Sequence, residues 1–242
     1  MIDHLTIAMP YYEAPEMLRE QLKFWKDFDD VGVEIVIVDD GSPNYPAAAV
    51  ISEFPILHIP IHVYRICENY PWNHGGARNL AMFMARDGWV VLTDIDHVLI
   101  PHTVCRVFGS DLDSTKVYLP GRYEKNLNQE HIRIKRHSDS YLITKEMFWR
   151  IGGYDEQFTG YWNGPFEPFR KALKRTVKLE ETENIWLLRY DTDSIADANV
   201  SEWGRKGSKF DINKYPIVKR KQRQAMQNYK PETLQFEWSQ EL

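Results

Sequence analysis

The clearest signal in this sequence is the stretch Gly88-Trp89-Val90-Val91-Leu92-Thr93-Asp94-Ile95-Asp96-His97. Its first half is a nearly continuous apolar run, which is typical of a strand that is buried on both faces. Asp94 and Asp96 follow where this strand is expected to end, and the alternation of side chains along a strand predicts that they point to the same side. Two acids in this position offer oxygen ligands to Mg²⁺ or Mn²⁺. The same pair is also common where a strand leaves a sheet and an aspartate caps the next turn.

Strands and helices alternate before this stretch. Strands are predicted at Leu5–Met9, where Pro10 is expected to end the strand, and at Val33–Val38 and Ile61–Ile66; helices are predicted at Ala14–Phe28 and Gly75–Arg86. This alternation predicts the α/β class, with a mostly parallel, twisted sheet flanked by helices. Ligands of such sheets bind at the carboxyl ends of the strands, which is the edge where Asp94 and Asp96 are expected.

The regular alternation loosens beyond Pro101. Short strands are predicted at Val117–Leu119, Ser140–Ile143 and Ile185–Arg189, with a helix at Lys145–Ile151 and another that follows Gly164 and runs through Leu173. No linker forces a boundary, so we expect one domain over residues 1–242. Within it we expect a nucleotide-binding half at about residues 1–100, an acceptor-binding and catalytic half at about 101–202, and a basic extension at 203–242.

The composition limits the classes of protein that fit. The net charge of −5 gives no general reason to expect nucleic acid or a membrane as partner. Cys67 and Cys105 have no CxxC spacing, which favours reduced thiols. The N-terminus lacks the basic and apolar regions of a signal peptide, and no apolar run approaches the roughly 20 residues that span a bilayer. We therefore expect a cytoplasmic protein without a transmembrane segment.

A second acidic cluster, Asp39-Asp40-Gly41-Ser42, follows the second predicted strand. In a parallel sheet it lies on the same edge as Asp94 and Asp96, where a carboxylate can accept hydrogen bonds from a nucleobase or a ribose hydroxyl. The cluster is also typical of an ordinary Asp-Gly turn. The presence of two acidic strand ends on one edge favours a ligand site.

Two glycine-rich motifs offer further contacts. Asn73-His74-Gly75-Gly76-Ala77-Arg78-Asn79 opens a helix, so its N–H groups and Arg78 suit a diphosphate, although a plain glycine entry to a packed helix looks the same. The loop Gly152–Gly164 is rich in Tyr and Trp, which stack on sugars but are as common in cores. The histidines show no metal-binding spacing, and His97 stands out only because it follows the acidic pair.

The sequence resembles the family 2 glycosyltransferases in five segments that occur in this order: Leu5–Tyr12, Val36–Ser42, Gly75–Asn79, Leu92–Asp96 and Gly152–Glu156. These enzymes have the GT-A fold and move a sugar from a nucleotide-sugar donor to an acceptor hydroxyl. The resemblance covers roughly residues 1–175, and Gly152–Glu156 also looks like a galactosyltransferase-type segment. The roles that it implies are nucleotide binding by Pro10, Tyr12, Asp39, Asp40 and Arg78, ribose binding by Asp94, and metal binding by Asp96 with Asp94.

The sequence departs from the family pattern in two places. The family follows the aromatic loop with a Glu-Asp pair that supplies the catalytic base, whereas Gly164-Pro165-Phe166-Glu167-Pro168 stands here. Glu167 is therefore the candidate base, and Asp155 is the reserve. Many relatives also supply a late histidine to the metal, but this chain has none after His137, which leaves water or one of Asp191, Asp193 and Asp197.

These motifs predict an inverting glycosyltransferase that uses Mn²⁺ or Mg²⁺ and a nucleotide-diphosphate sugar, with UDP as the expected nucleotide. A sugar-nucleotide pyrophosphorylase is the nearest rival enzyme, but its Gly-rich signature is missing where Met9-Pro10-Tyr11-Tyr12-Glu13 stands. A non-catalytic protein that binds a sugar nucleotide or a glycan remains the alternative from another class. The sequence leaves the acceptor, the sugar and the oligomeric state open.

The segment from Trp203 to Lys230 is basic. It contains nine Lys or Arg residues and one acid, Asp211. Such a run is most often a solvated helical face. In an otherwise acidic protein it also suits donor phosphates or an anionic acceptor, either a glycan or a nucleic acid.

Overall fold

The computed structural model describes residues 2–26, 28, 32–54, 58–125, 130–161, 163–189, 195 and 215–242, with the backbone alone for residues 215–217. These residues form one sheet of ten strands with helices on both faces. The α/β class predicted from the sequence is confirmed. No helix in the described part of the chain combines the length and the apolar character needed to span a bilayer.

The helices and strands follow one another along the chain in this order: β1 Leu5–Tyr11, α1 Pro15–Trp25, β2 Val33–Asp39, α2 Ala47–Ser52, β3 Ile61–Ile66, α3 His74–Met84, β4 Trp89–Leu92, β5 His97–Val98, α4 Pro101–Phe108, β6 Lys116–Lys125, β7 His131–Arg133, β8 Tyr141–Thr144, α5 Lys145–Ile151, α6 Phe166–Thr176, β9 Lys178–Arg189, α7 Tyr215–Gln227 and β10 Trp238–Gln240. A short 3₁₀ helix, Glu156–Phe158, lies between α5 and α6.

The sheet has the strand order β10-β3-β2-β1-β4-β8-β6-β9-β5, and β7 pairs with β6. Strands β3, β2, β1 and β4 are parallel, with Leu5 of β1 opposite Val33 of β2 and Trp89 of β4. Their carboxyl ends therefore meet at one edge. Strand β8 then adds to β4 in the antiparallel direction, so the second half of the chain completes the sheet beside that edge.

The hydrophobic core lies on both faces of the sheet. One cluster joins the sheet to α1, α2 and α4, and the other joins it to α3, α5 and α6. Leu18, Leu22 and Trp25 recur at helical spacing on α1 and are fully buried, as the apolar pattern predicts. The alternation of core side chains along β1, with Ile7 on one face and Ala8 on the other, shows why its sequence is apolar throughout.

Strand β1 continues through Pro10 to Tyr11, so the prediction that Pro10 ends the strand was wrong. The Ala8 carbonyl accepts a hydrogen bond from Thr93 on the β4 side, whereas the Tyr11 carbonyl accepts one from Asp40 on the β2 side. Because the backbone polar groups of successive residues in a strand point to opposite sides, the backbone nitrogen of Pro10, like the Ala8 carbonyl, faces the β4 side. Because β4 ends at Leu92, the missing N–H of Pro10 has no ladder partner to lose there.

The second half of the chain holds more regular structure than its sequence suggests. Strands β6 and β9 are longer than predicted, and they pair in parallel with an irregularity between Leu119 and Gly121. Helices α2 and α4 and the short strands β5, β7 and β10 were not predicted. The last of these, β10, pairs antiparallel to β3 and forms the edge strand next to the nucleotide-binding half.

Candidate active site

Three neighbouring strands deliver the predicted site residues to one edge of the sheet. Strand β1 leads into Tyr12, β2 ends at Asp39 and leads into Asp40, and β4 leads into Asp94. Because β1 lies between β2 and β4 and all three are parallel, the three segments emerge side by side. The sheet edge therefore brings together the acids that the sequence placed far apart.

Asp94 and Asp96 lie in a turn rather than on a strand. Strand β4 ends at Leu92, and the His97 N–H donates to the Asp94 carbonyl at 3.1 Å, which closes the turn. Strand alternation therefore does not set the directions of the two carboxylates, although both lie close enough to His137 to interact with it. Asp94 turns toward Arg78 and His74, whereas Asp96 turns toward His97.

The Asp94 carboxylate is surrounded by basic side chains. It accepts a hydrogen bond from Arg78, its Oδ1 lies 2.9 Å from Nε2 of His74, and its Oδ2 lies 3.4 Å from Nε2 of His137. Burial raises the pKa of Asp94, but the adjacent Arg78 and His74 outweigh this effect and hold that pKa well below its ordinary value. Asp94 is therefore a carboxylate at neutral pH, and 20% of its side chain is exposed.

Arg78 is fully buried, and the surrounding protein satisfies most of its guanidinium. Besides binding Asp94, Nη1 donates to the Asp139 carbonyl at 2.6 Å and to the Tyr154 hydroxyl at 3.3 Å. The aromatic ring of Phe166 lies 5.9 Å from the guanidinium carbon. These contacts make Arg78 the residue that positions Asp94, and a direct contact between Arg78 and the donor stays a prediction.

The N-terminus of α3, predicted to receive a diphosphate, is covered by other parts of the chain. A Cβ atom at Gly75 would lie 3.0 Å from the ring of Pro165, and one at Gly76 would lie 2.7 Å from the ring of Phe236. The two glycines are therefore explained by close packing. The prediction that these N–H groups bind phosphate has no support in this packing.

Asp96 lies at the open side of the turn, with 29% of its side chain exposed. Its Oδ1 is 2.6 Å from Nδ1 of His97, a fully buried residue whose ring stacks on His137 at 4.8 Å. The turn is held from below by Gln21 of α1, whose Nε2 donates to the carbonyls of Ile95 at 2.9 Å and His97 at 2.6 Å. This buried amide fixes the backbone that carries Asp96.

Asp94 and Asp96 fit a hard divalent cation, although the described residues contain no ready group of three His, Cys, Asp or Glu ligands. Mg²⁺ is commonly held by one or two carboxylates, with substrate phosphates and water as its other ligands, so an incomplete protein cage is consistent with such a site. The partly exposed carboxylate of Asp96 supplies the oxygen that this arrangement needs. The alternative ligands Asp191, Asp193 and Asp197 lie outside the described residues.

The end of β2 separates the two acids of its cluster. Asp39 is 1% exposed, and its oxygens accept hydrogen bonds from the N–H groups of Ser42 at 2.8 Å and Ala47 at 2.9 Å. It thereby closes the turn and begins α2. Asp40 is the next residue and lies close to Tyr12. Burial is the main reason why the pKa of Tyr12 is raised, and the charge of Asp40 adds to this effect. Nucleotide binding by Pro10, Tyr12, Asp39 and Asp40 stays a prediction.

The Gly-Gly-Tyr-Asp-Glu motif is bound to α3 through Asn79. The Asn79 side chain donates to the Tyr154 carbonyl at 2.7 Å and to Glu156 at 2.8 Å, and it accepts from the Tyr154 N–H at 2.8 Å. A Cβ atom at Gly153 would lie 2.9 Å from the Asn79 oxygen, and the φ of +72° at this residue also favours glycine. The motif therefore fixes the aromatic loop against the helix that carries Arg78.

The two candidate bases differ in their surroundings. Asp155 is buried, and its Oδ1 accepts the Gln157 N–H at 3.1 Å; burial raises its pKa. Glu167 lies in the first turn of α6, with 40% of its side chain exposed and Oε2 2.5 Å from Nζ of Lys219. Its neighbour Phe166 packs edge-on to His74 at 5.3 Å, which places the start of α6 beside Asp94. The base stays a prediction, and Glu167 has the better access.

Several residues at this site were not predicted as functional: Gln21, His74, His137, Asp139 and Tyr154. His137 lies between Asp94 and Ser140, and its Nδ1 is 2.9 Å from the Ser140 hydroxyl. Burial lowers the pKa of His137 to about 4. The ring is therefore neutral at pH 7. His74 has a signal in the sequence, because it opens the helix four residues before Arg78 and so lies on the same face. Nothing in the local sequence marks His137.

Comparison with known proteins agrees with this geometry. The sequence model described as "Glycosyl transferase family 2" matches residues 6–182. Among solved structures, S. aureus TarS 1-349 in complex with UDP-GlcNAc superimposes with a TM-score of 0.63 and 14% identity, over 77% of this chain and 58% of the TarS 1-349 chain. The mannosyltransferase PcManGT from Pyrobaculum calidifontis, in complex with GDP-Man and Mn²⁺, has a TM-score of 0.56 and 15% identity, over 77% of this chain and 56% of that protein.

The chain thus spans less than two thirds of the length of these two structures, and at this identity they show the fold alone. None of the curated proteins compared with the chain matches it. The galactosyltransferase likeness of Gly152–Glu156 stays a prediction. The match to the family model covers the strand ends, the acidic turn and the aromatic loop, so the chain belongs to glycosyl transferase family 2 and has the GT-A fold.

Proposed function

We propose that the protein transfers a sugar from a UDP-linked donor to an acceptor hydroxyl, with inversion at the anomeric carbon and with dependence on a divalent cation. The observation that carries this proposal is the acidic turn Asp94–Asp96 beside the ends of β1 and β2. A nucleotide that lies along this edge reaches Tyr12 and Asp40 with its base and Asp94 with its ribose. The complexes of TarS with UDP-GlcNAc and of PcManGT with GDP-Man support a nucleotide-sugar donor.

In this proposal the donor site depends on an ionised carboxylate, Asp94, rather than on a phosphate-binding loop. Asp94 stays ionised because Arg78 and His74 surround it, and an ionised carboxylate is a strong acceptor for ribose hydroxyls. The buried position of Arg78 fixes the orientation of Asp94, so the ribose meets a carboxylate that does not need to reorganise.

Asp96, with Asp94 next to it, would hold the cation at this site. Mn²⁺ or Mg²⁺ would supply positive charge there to stabilise the leaving nucleoside diphosphate. The Mn²⁺ in the PcManGT complex supports a divalent cation in this fold. Gln21 and His97 support the turn from inside the protein, so the position of the Asp96 carboxylate is set before the donor binds.

The acceptor approaches from the side of α6 in this proposal. The acceptor oxygen attacks the anomeric carbon, its proton passes to a carboxylate, and the bond between the anomeric carbon and the diphosphate oxygen breaks. Glu167 is the group that we assign to this proton, since it is partly exposed and directly follows Phe166, which contacts His74. Asp155 is largely enclosed and engaged by the Gln157 N–H, which makes it the reserve.

Calorimetric titration with UDP and UDP-GlcNAc, in Mn²⁺ and in EDTA, tests the donor site. The wild type is expected to bind both ligands, more tightly in Mn²⁺. Asp96→Asn keeps the shape of the side chain but removes its charge, so it is expected to lose the Mn²⁺-dependent part of the affinity. Asp87→Asn is the matched control, because this acid lies at the opposite end of β4 with its side chain 98% exposed. Equal Mn²⁺ dependence in both variants would refute the metal assignment.

A further inference from the structure

Helix α7 is fixed against the aromatic loop and α6. Gln222 is 2% exposed, and its Nε2 donates to the carbonyls of Asn163 at 3.2 Å and Gly164 at 3.0 Å. Further along, Arg175 of α6 donates to the Met226 carbonyl at 2.5 Å. The buried face of α7 therefore holds the loop that leads into Glu167.

The start of the exposed face of α7 lies at the rim of the candidate active site. Lys219 forms an ion pair with Glu167, and the ammonium of Lys221 lies 5.5 Å above the ring of Tyr161. Glu167 directly follows Phe166, which contacts His74 at 5.3 Å. The first turns of α7 therefore lie next to the candidate base and the aromatic loop.

The charge of this face is uniform. The α7 sequence contains Lys219, Arg220, Lys221 and Arg223 and no acid. Arg220, Lys221 and Arg223 are exposed, and within the part of the chain that the structure describes they form no ion pair with a carboxylate. Arg220 and Arg223 are three residues apart, so they lie on one side of the helix. Two exposed guanidinium groups thus lie on the helix whose Lys219 and Lys221 contact Glu167 and Tyr161, in an otherwise acidic protein.

We propose that this face of α7, together with Tyr161, binds an acidic carbohydrate as the acceptor, one that carries carboxylate or phosphate groups. The proposal rests on the proposed function, because it names the acceptor class of the same site. Arginine pairs with carboxylate and phosphate through two parallel hydrogen bonds, and a tyrosine ring covers the apolar face of a sugar. A nucleic acid is the poorer fit, since single strands bind where several aromatic side chains stack successive bases along a basic groove.

The test measures binding of the full chain to fluorescent polygalacturonate oligomers, a phosphomannan, neutral dextran and a single-stranded RNA. The two acidic glycans distinguish carboxylate from phosphate recognition. Arg220→Gln/Arg223→Gln is expected to weaken binding of the preferred acidic glycan by about tenfold at low salt, as loss of two charged contacts predicts. Arg106→Gln/Arg150→Gln is the matched control, since it removes two exposed arginines from α4 and α5. This control is expected to bind like the wild type.

Binding of UDP and GDP in Mn²⁺ is measured on the same samples, and it is expected to be equal in all three proteins. A wild type that binds a nucleotide but neither acidic glycan would overturn this inference and leave the proposed function intact. Equal losses in the two double variants, or tighter binding of RNA than of both glycans, would also overturn it. A wild type that binds no nucleotide would instead count against the proposed function, and the assignment of an acceptor would fail with it.

Discussion

The substitution Gln21→Met tests whether a buried amide on α1 positions the acidic turn. Methionine has nearly the shape of glutamine but cannot donate, so the change removes the hydrogen bonds to the carbonyls of Ile95 and His97. The His97 carbonyl is left buried without this donor, which costs about 1–3 kcal/mol, and the less buried Ile95 carbonyl adds about 1 kcal/mol.

One gain opposes these losses. In the part of the chain that the structure describes, Oε1 of Gln21 is buried without a hydrogen-bond partner, and methionine removes this unsatisfied oxygen. The net decrease in the free energy of unfolding is therefore expected to be about 1–3 kcal/mol. Urea denaturation measures it, with Lys23→Met as control, because Lys23 lies on the same helix but is exposed.

The same variant reports on function. Without the hydrogen bonds from Gln21, the turn that carries Asp96 is expected to be more mobile. The affinity for UDP in Mn²⁺ is therefore expected to fall more than the affinity for UDP in EDTA. Calorimetry on the folded variant measures both affinities. If Gln21→Met were as stable as Lys23→Met, to within about 0.5 kcal/mol, and bound UDP like the wild type, the positioning role of Gln21 would be refuted.

Three further outcomes follow from the site. Glu167→Gln is expected to lower kcat at least about 100-fold with donor affinity unchanged, as loss of a general base predicts; normal turnover would show that Glu167 is structural, and Asp155→Asn would then be tested in the same assay. Burial lowers the pKa of His137 from 6.5 to about 4, so the unfolded chain binds more protons than the folded chain between these pH values. In EDTA, the stability that His137 contributes is therefore expected to be complete above pH 6.5 and to be lost as the pH falls toward 4. His137→Gln is expected to flatten this pH dependence of the free energy of unfolding. Glu156→Ala removes the acceptor of three hydrogen bonds and is expected to lower the free energy of unfolding by about 2–4 kcal/mol in urea denaturation, whereas Glu156→Gln is expected to cost less because one oxygen remains.

The sequence predicted the parallel half of the sheet because its strands are buried on both faces and are therefore apolar throughout. The edge that carries Tyr12, Asp40 and Asp94 followed from this, since parallel strands end on the same side. Pro10 was misread because its effect depends on whether a neighbouring strand is still present, and this neighbour, β4, lies about eighty positions away along the chain.

The surroundings of Asp94 could not be predicted in the same way. Arg78 was recognised as a cation at a helix start, but its burial depends on Tyr154 and Phe166, which arrive from the second half of the chain. His137 reaches Asp94 only because β8 pairs with β4. Local sequence carries no information on such contacts, so it could not show that Pro165 and Phe236 pack against the α3 N-terminus, where phosphate binding was predicted.

The pairing of β10 with β3 has a consequence for how this chain folds. Residues 238–240 complete the sheet beside residues 64–66, and Glu156 binds the backbone N–H groups of Leu234 and Gln235. During synthesis, β3 therefore remains an unprotected sheet edge until nearly all of the described chain has left the ribosome. Such an edge is a site for pairing with other chains, so a fragment that stops before β10 is expected to aggregate rather than to fold as an independent nucleotide-binding unit.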